Sequence, residues 1–466
     1  MTRAPDNPWL HRFAVLTAAA TLFLIWVGGL VTSHGVGMAV PDWPTTYGDN
    51  MFFFPFSKWA GGIFYEHSHR LVASVVGLLT AVLAAWIWAR ESTGWPRRIA
   101  LGGIVFTLGL MGVRTQGMFI ALACVAVGVL AFGVVQLARD ERKLRWLAAM
   151  AFCVVLIQGV LGGLRVTAMK DELGIVHGTL AQLFFALLCV IALVTSRWWW
   201  RMARAGANID NGRAVVERQR TGAVQDAGAQ TGSLSSRSIL DCASPLALSA
   251  SNAPERIEVS RGPQTDADNL AVYGAGRLRY FFALVTGLIL AQLILGATMR
   301  HQHAGLAIPD FPTAYGKLWP ATDAESVARY NQQRVEVTAL NPITSAGVHL
   351  QMTHRLLALA IFVGVAWLAG AARSRFGAKS PMGRLAAVWF GVILLQVILG
   401  AATIWTGKAA DIATAHVAVG ALSLVTGVML CLVSFRTASR VTSAKNQSVP
   451  AGSPANLEAR PANASA

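Results

Sequence analysis

Apolar runs close to 20 residues long recur from one end of this 466-residue chain to the other. A run of that length is what a helix needs to cross a hydrocarbon layer roughly 30 Å thick. Lipid offers no partner to a backbone N–H or C=O, so such runs must satisfy themselves as helices. Spans are read near 13–33, 69–89, 98–114, 118–138, 146–166, 174–195, 279–299, 350–371, 385–405 and 412–435. The expected fold class is an all-α polytopic membrane protein with about ten transmembrane helices.

The charges say how those helices are oriented. Hydrophobic residues make up 54% and charged residues 13%, about half the usual quarter. A net charge of +16 could suggest nucleic acid, but the Lys and Arg fall between apolar runs on alternate sides. That is the pattern of lipid orientation, and no nucleic-acid partner is expected. Arg3 and Arg12; Arg90, Arg97 and Arg98; Arg139, Arg142, Lys143 and Arg145; Arg197 to Arg204; Arg373, Arg375 and Lys379; and Arg436, Arg440 and Lys445 share one face. The large loops 34–65 and 300–347, with few basic residues, lie on the other. Both termini are therefore expected on the cytoplasmic side of a bacterial inner membrane. The first run follows only Arg3, His11 and Arg12 and ends in Gly28-Gly29-Leu-Val-Thr, with no convincing cleavage site, so it reads as a retained helix. Cysteines at 124, 153, 189, 242 and 431 show no ligand-type spacing, which points away from a structural disulfide or a metal-thiolate site.

The chain also repeats itself. Pro41-Asp-Trp-Pro-Thr-Thr-Tyr-Gly48 returns as Pro309-Asp-Phe-Pro-Thr-Ala-Tyr-Gly316. Gln158-Gly-Val-Leu-Gly162 returns as Gln396-Val-Ile-Leu-Gly400, and again as Gln292-Leu-Ile-Leu-Gly296. Duplication on this scale governs the fold. Residues 1–200 form one half and 277–440 the other; a polar linker at 201–276 and a tail at 441–466 are expected to be disordered and cytoplasmic. From His69 to Gln158 is 89 residues, whereas from His354 to Gln396 is 42. The surplus of 47 fits an inserted helical hairpin near 98–138, turning around Arg114-Thr-Gln-Gly117. Two added helices preserve direction, so the halves are expected to be parallel-repeat four-helix bundles. The short piece near 98–114 could instead be re-entrant.

Four histidines occupy matching places in this repeat. His69 opens the second span, His177 the sixth, His354 the eighth and His416 the tenth, all near the outer face. Imidazoles at the edge of hydrocarbon are costly unless they ligate, pair or transfer protons. A lone one is best read as a hydrogen bond to a neighbouring helix. Four at repeat-equivalent positions point to two ligand pairs, and two neutral imidazoles on facing helices are the axial set of a haem iron. His11, His34, His67, His301, His303 and His349 lack that support. Arg70 and Arg355 follow their histidines directly and suit either the membrane interface or haem propionates; Arg165 and Arg300 are weaker candidates for the same role. Glu66 lies one helical turn before His69, where its counterpart before His354 is Gln351. It is either a helix-start charge or the mark of a half that does chemistry.

With these strings the chain resembles the haem A synthase family. The resemblance rests on Gly28-Gly29-Leu-Val-Thr, Glu66-His-Ser-His69-Arg70, Gln158-Gly-Val-Leu-Gly162-Gly163-Leu, His177, Met352-Thr-His354-Arg355 and His416. It implies a pair of four-helix bundles and oxidation of the methyl substituent of haem O to the formyl group of haem A, for terminal oxidases. It further implies that His69 and His177 bind substrate haem O, that His354 and His416 ligate haem B as electron carrier, and that Glu66 is the essential carboxylate. Glu66 would accept a proton or stabilise developing positive charge. Implied partners are haem O synthase, terminal oxidase assembly factors and an electron-transfer partner. The chain departs from the family in having no cysteine pair in loop 34–65 and in its inserted hairpin. The alternative is a dihaem b-type membrane cytochrome linked to quinone, though that class places its haems near opposite faces. A repeat-built transporter would need ionisable groups near midplane, and the spans offer few.

Overall fold

The computed structural model describes residues 8–113, 115–201, 264–334 and 342–447. Its α-helices are α1 Pro8–Ser33, α2 Gly62–Glu91, α3 Gly94–Met111, α4 Gln116–Arg139, α5 Lys143–Ala168 and α6 Asp171–Thr195, followed by α7 Gln264–His301, α8 Ala324–Gln332, α9 Ser345–Phe376, α10 Pro381–Trp405 and α11 Ala410–Gln447. Among the described residues the only β-type pairings are two isolated bridges, Thr46 with Asp49 and Ala314 with Lys317. Among the described residues, those up to Trp200 and those from Arg277 to Phe435 make one compact unit. Most of the linker expected at 201–276, with Cys242, lies outside the described residues, as do Arg3, Arg114 and residues 448–466 of the tail.

Nine of the described helices are long and apolar enough to cross a membrane, and the protein is a multi-pass membrane protein. Phe23, Phe106, Val125, Leu284, Leu359 and Val388 are each more than half exposed, as side chains facing lipid can be. The span read near 98–114 is α3, the one long helix outside the nine. Its first turn carries Arg97 and Arg98, so its apolar stretch is too short by composition alone. It nevertheless travels the length of the bundle. Arg142 Nη1 donates to Glu91 O at 2.8 Å and Arg145 Nη1 to Ser92 Oγ at 3.3 Å, placing the α2–α3 corner beside the α4–α5 corner. Gln116 Nε2 donates to Thr167 Oγ1 at 3.2 Å, placing the start of α4 beside the far end of α5. So α3 joins opposite ends and is not re-entrant; its 18 residues reach about 27 Å at 1.5 Å each. The α3–α4 hairpin leaves the direction of the two halves unchanged.

In the first half α1 packs on α2 and α6, and α5 on α2, α4 and α6. The core there is built from Ala14, Val76, Leu83, Ile87, Ala148, Ala151, Leu188 and Ile191; its small residues let helices approach closely where no hydrophobic effect drives them together. In the second half α9 packs on α10, and the fully buried Trp389 of α10 donates Nε1–H to Ser423 O of α11 at 2.9 Å. Phe282 of α7 lies against the same ring. The halves meet at the end of α1. Arg300 Nη2 donates to Gly29 O at 2.6 Å and to Ser33 Oγ at 2.5 Å, and Ser33 Oγ lies 3.1 Å from Thr414 Oγ1 on α11. The sequence reading had no counterpart of α8, whose start is capped by the Asp323 carboxylate accepting Ser326 N–H at 2.9 Å.

Candidate functional site

The two loops carrying the repeated Pro-Asp string fold alike. The carboxylate of Asp42 accepts from Tyr47 N–H at 2.7 Å, Gly48 N–H at 2.9 Å and the Thr45 hydroxyl at 2.5 Å. Asp310 does the same with Tyr315, Gly316 and Thr313. Partial burial pushes both carboxyls up, but these donors outweigh it and hold each below the usual carboxylate range. Both turns then pass through a tyrosine with positive φ, 51° at Tyr47 and 53° at Tyr315. Tyr47 and Tyr315 donate their hydroxyls to Ala39 O and Ala307 O, at 2.5 and 2.6 Å.

Each loop is tied to the helix that bears the His-Arg pair. Arg70 Nη1 donates to Asp42 O and Thr45 O, and Nη2 to Val40 O and to Glu66 Oε1 at 2.7 Å. Arg355 Nη1 donates to Thr313 O and Nη2 to Asp310 O. These arginines are thus committed to carbonyls of their own loops. Glu66 is 3% exposed; its Oε2 accepts Val40 N–H at 2.9 Å while Oε1 holds Arg70. Gln351 holds the matching place in the second loop, with Oε1 accepting Ile308 N–H at 2.7 Å and Nε2 donating to Gly305 O and Ile308 O. A charge in one half and a neutral amide in the other perform the same latch.

The four histidines are seated alike, each against a glycine of the helix beside it. A Cβ on Gly28 of α1 would stand 2.9 Å from His69 Cε1 on α2, and one on Gly162 of α5 would stand 3.1 Å from His177 Cε1 on α6. In the second half the corresponding distances are 3.3 Å from Gly296 of α7 to His354 on α9 and 3.1 Å from Gly400 of α10 to His416 on α11. Nδ1 of all four rings is buried with no hydrogen-bond partner. His69 lies within electrostatic range of His177, and His354 of His416. Among the described residues no three His, Cys, Asp or Glu side chains gather as a protein-only metal cage requires. Two imidazoles in a glycine-lined seat suit an iron that brings four nitrogens of its own and asks the protein for two axial ligands. That donor set fits a haem in each half.

Residues 246–428 match the family model COX15-CtaA, described as cytochrome oxidase assembly protein. The chain is similar to proteins named Heme A synthase from several bacteria. With that of Rhodopseudomonas palustris strain HaA2 it is 30% identical over 191 residues, 40% of this chain and 48% of that protein. With that of Shouchella clausii it is 35% identical over 108 residues, 22% of this chain and 34% of the relative, and with that of Methylobacterium radiotolerans 34% over 141 residues, 30% and 35%. Over these stretches the chain is similar to the haem A synthase family. The matches span about half the length of the first of these relatives and about a third of the others.

Several further residues lie near the histidines. Trp43, in the first Pro-Asp loop, lies so close to Gly163 that a Cβ there would meet its ring at 2.1 Å, one residue from the seat of His177. Its repeat counterpart Phe311 packs instead on Trp405, with Arg355 over its ring at 5.6 Å. His301, which lacks the support of the repeat in the sequence, ends α7 and reaches across to Gly174 of α6, within electrostatic range of His177. His67 is fully buried among Thr46, Phe54 and Trp59, under the loop. Arg165 lies within electrostatic range of His69, His177 and Arg300.

Proposed function

We propose that the protein is a haem A synthase: it oxidises the methyl substituent of haem O to the formyl group of haem A in the bacterial inner membrane, with both termini cytoplasmic. The observation that carries this reading is one difference between otherwise matching halves, Glu66 against Gln351, beside two identically seated histidine pairs. His69 and His177 hold the substrate haem O in the first half. His354 and His416 hold haem B in the second, where it supplies one-electron transfer when bound. Arg70 and Arg355 are the candidate partners for haem propionates, with Arg165, within electrostatic range of both first-half histidines, and Arg300 as further candidates.

Glu66 acts as a positioned carboxylate, accepting a proton or stabilising positive charge that develops on the substrate. Its Oε2 accepts Val40 N–H and its Oε1 accepts from Arg70, so the carboxylate is held in place by the fold. A charge held by the fold one turn from His69 needs no rearrangement to favour positive charge developing on the substrate. Arg70 and Val40 orient it, and the loop that carries Val40 covers it. Electrons leave to a separate redox partner, and haem O synthase and oxidase assembly factors are the expected neighbours in supply and delivery. A dihaem cytochrome would have no use for a charge in one half alone.

The test is chemical. Cells that make haem O but no haem A are given this chain, and their haems are extracted and separated by chromatography. Haem A should appear with the chain and be absent without it. Unchanged haem O with a fully produced, membrane-inserted protein would overturn the reading.

A further inference from the structure

The thrice-repeated string that begins at Gln158, Gln292 and Gln396 acquires a meaning in three dimensions. Four residues are about one helical turn, so the amide and the glycine share a helix face. Both meet the same histidine on the neighbouring helix. Gln158 Nε2 donates to His177 O at 2.8 Å, and Gln292 Nε2 to His354 O at 2.9 Å. Gln396 Nε2 lies 3.4 Å from His416 Nε2. One turn on, Gly162, Gly296 and Gly400 seat the same three rings. A carbonyl inside a helix already accepts from its own helix. At Gln158 and Gln292 the extra donor therefore fixes the height and rotation of one helix against the other, at the residue that bears the ligand, while Gln396 meets the His416 ring itself. The fourth histidine has only half of this arrangement. Gly28 seats His69, but one turn earlier stands Leu24.

As simple glue between helices these amides are a poor choice. All three leave Oε1 buried without a partner, a loss that a leucine would not suffer. An interhelical hydrogen bond inside a membrane protein is worth little on average. A glutamine kept three times at this cost points to placement of the ligand rather than to stability.

We propose that Gln158, Gln292 and Gln396 are positioning residues that lock His177, His354 and His416, and that unlocked His69 is the ligand that yields when haem enters and leaves the first half. The inference rests on the reading of these histidines as haem ligands. It explains how one duplicated bundle can hold a haem permanently while the other exchanges it. The second half has both ligands locked; the first has one locked and one free.

The experiment uses the full chain, purified and loaded with haem B as probe in both halves, then mixed with excess apomyoglobin as haem scavenger. Release should be biphasic, with a fast first-half phase and a slow second-half phase. Gln292→Leu should speed the slow phase roughly fivefold, the effect of losing one hydrogen bond, and should shift the low-spin ferric EPR signal of that haem. Leu24→Gln should slow the fast phase by a similar factor. Thermal unfolding of both variants should match the parent, which a merely structural role would not predict. Unchanged phases and EPR signals in the two variants would refute the lock while leaving the haem reading intact. If the parent binds no haem, or if His354→Ala loses none, the haem reading fails and the lock with it.

Discussion

Glu66 and Gln351 differ by one group and perform the same structural task, which makes their exchange an informative experiment. In Glu66→Gln the amide oxygen can still accept Val40 N–H, as Gln351 accepts Ile308 N–H, so the loop stays latched and folding and haem content should persist. The carboxylate is lost, and haem A formation should fall about 100-fold or more, with haem O accumulating on chromatography. Near-normal haem A would make the carboxylate merely a latch. Gly162→Ala tests the seat. Alanine is favoured over glycine in a helix interior by about 1 kcal/mol, so stability alone predicts no harm. Yet the added Cβ would stand 3.1 Å from His177 Cε1 and push the ring aside. First-half haem should weaken while second-half haem stays, as read by pyridine haemochrome on extracted fractions. At this scale repetition singles out the four histidines in the sequence, and the change from Glu66 to Gln351 singles out Glu66. The sequence left Arg70 and Arg355 open between interface and propionate; only coordinates show that Val40, Asp42, Thr45, Asp310 and Thr313 carbonyls occupy them.

Among the elements, the Pro-Asp loops and the α4–α5 corner owe their shape to single aspartates. At the corner, burial raises the carboxyl of Asp140, but Arg142 N–H, Trp146 Nε1–H and Arg145 outweigh it and bring the pKa down to about 2. A pKa lower in the folded than in the unfolded chain gives stability that is present above the ordinary value of 3.8 and lost as pH falls towards 2. Acid should therefore loosen the attachment of the α3–α4 hairpin in that window, and Asp140→Asn should make hydrogen exchange in α3 and α4 faster and less pH-dependent there. Equal exchange in parent and variant at both ends of the window would contradict this. The hairpin's existence was legible from the surplus spacing between His69 and Gln158. That α3 joins opposite ends was not, since Arg97 and Arg98 weaken its apolar signal and the decisive bonds, Gln116 to Thr167 and Arg142 to Glu91, link residues 51 apart. Helix α8 escaped notice because a nine-residue amphipathic helix inside a polar loop has too few turns for a periodic signal.

For the whole molecule, the repeated strings give the plan of two halves that the proposed function builds on. Ten runs, two halves and their parallel sense follow from hydropathy and repeat spacing; the contact of the halves through Gly29, Ser33, Arg300 and Thr414 does not, because a packing surface between bundles leaves no periodic trace. Reporter fusions at Glu141 and at Leu318 should report opposite sides of the membrane, with Glu141 cytoplasmic; finding both on one side would break the shared depth of the histidines. The division of labour between the halves is tested most directly by measuring haem B in four purified single variants, His69→Ala, His177→Ala, His354→Ala and His416→Ala. Loss of tightly bound haem B from the last two, with most of it kept in the first two, is the expected result; equal loss from all four would contradict it.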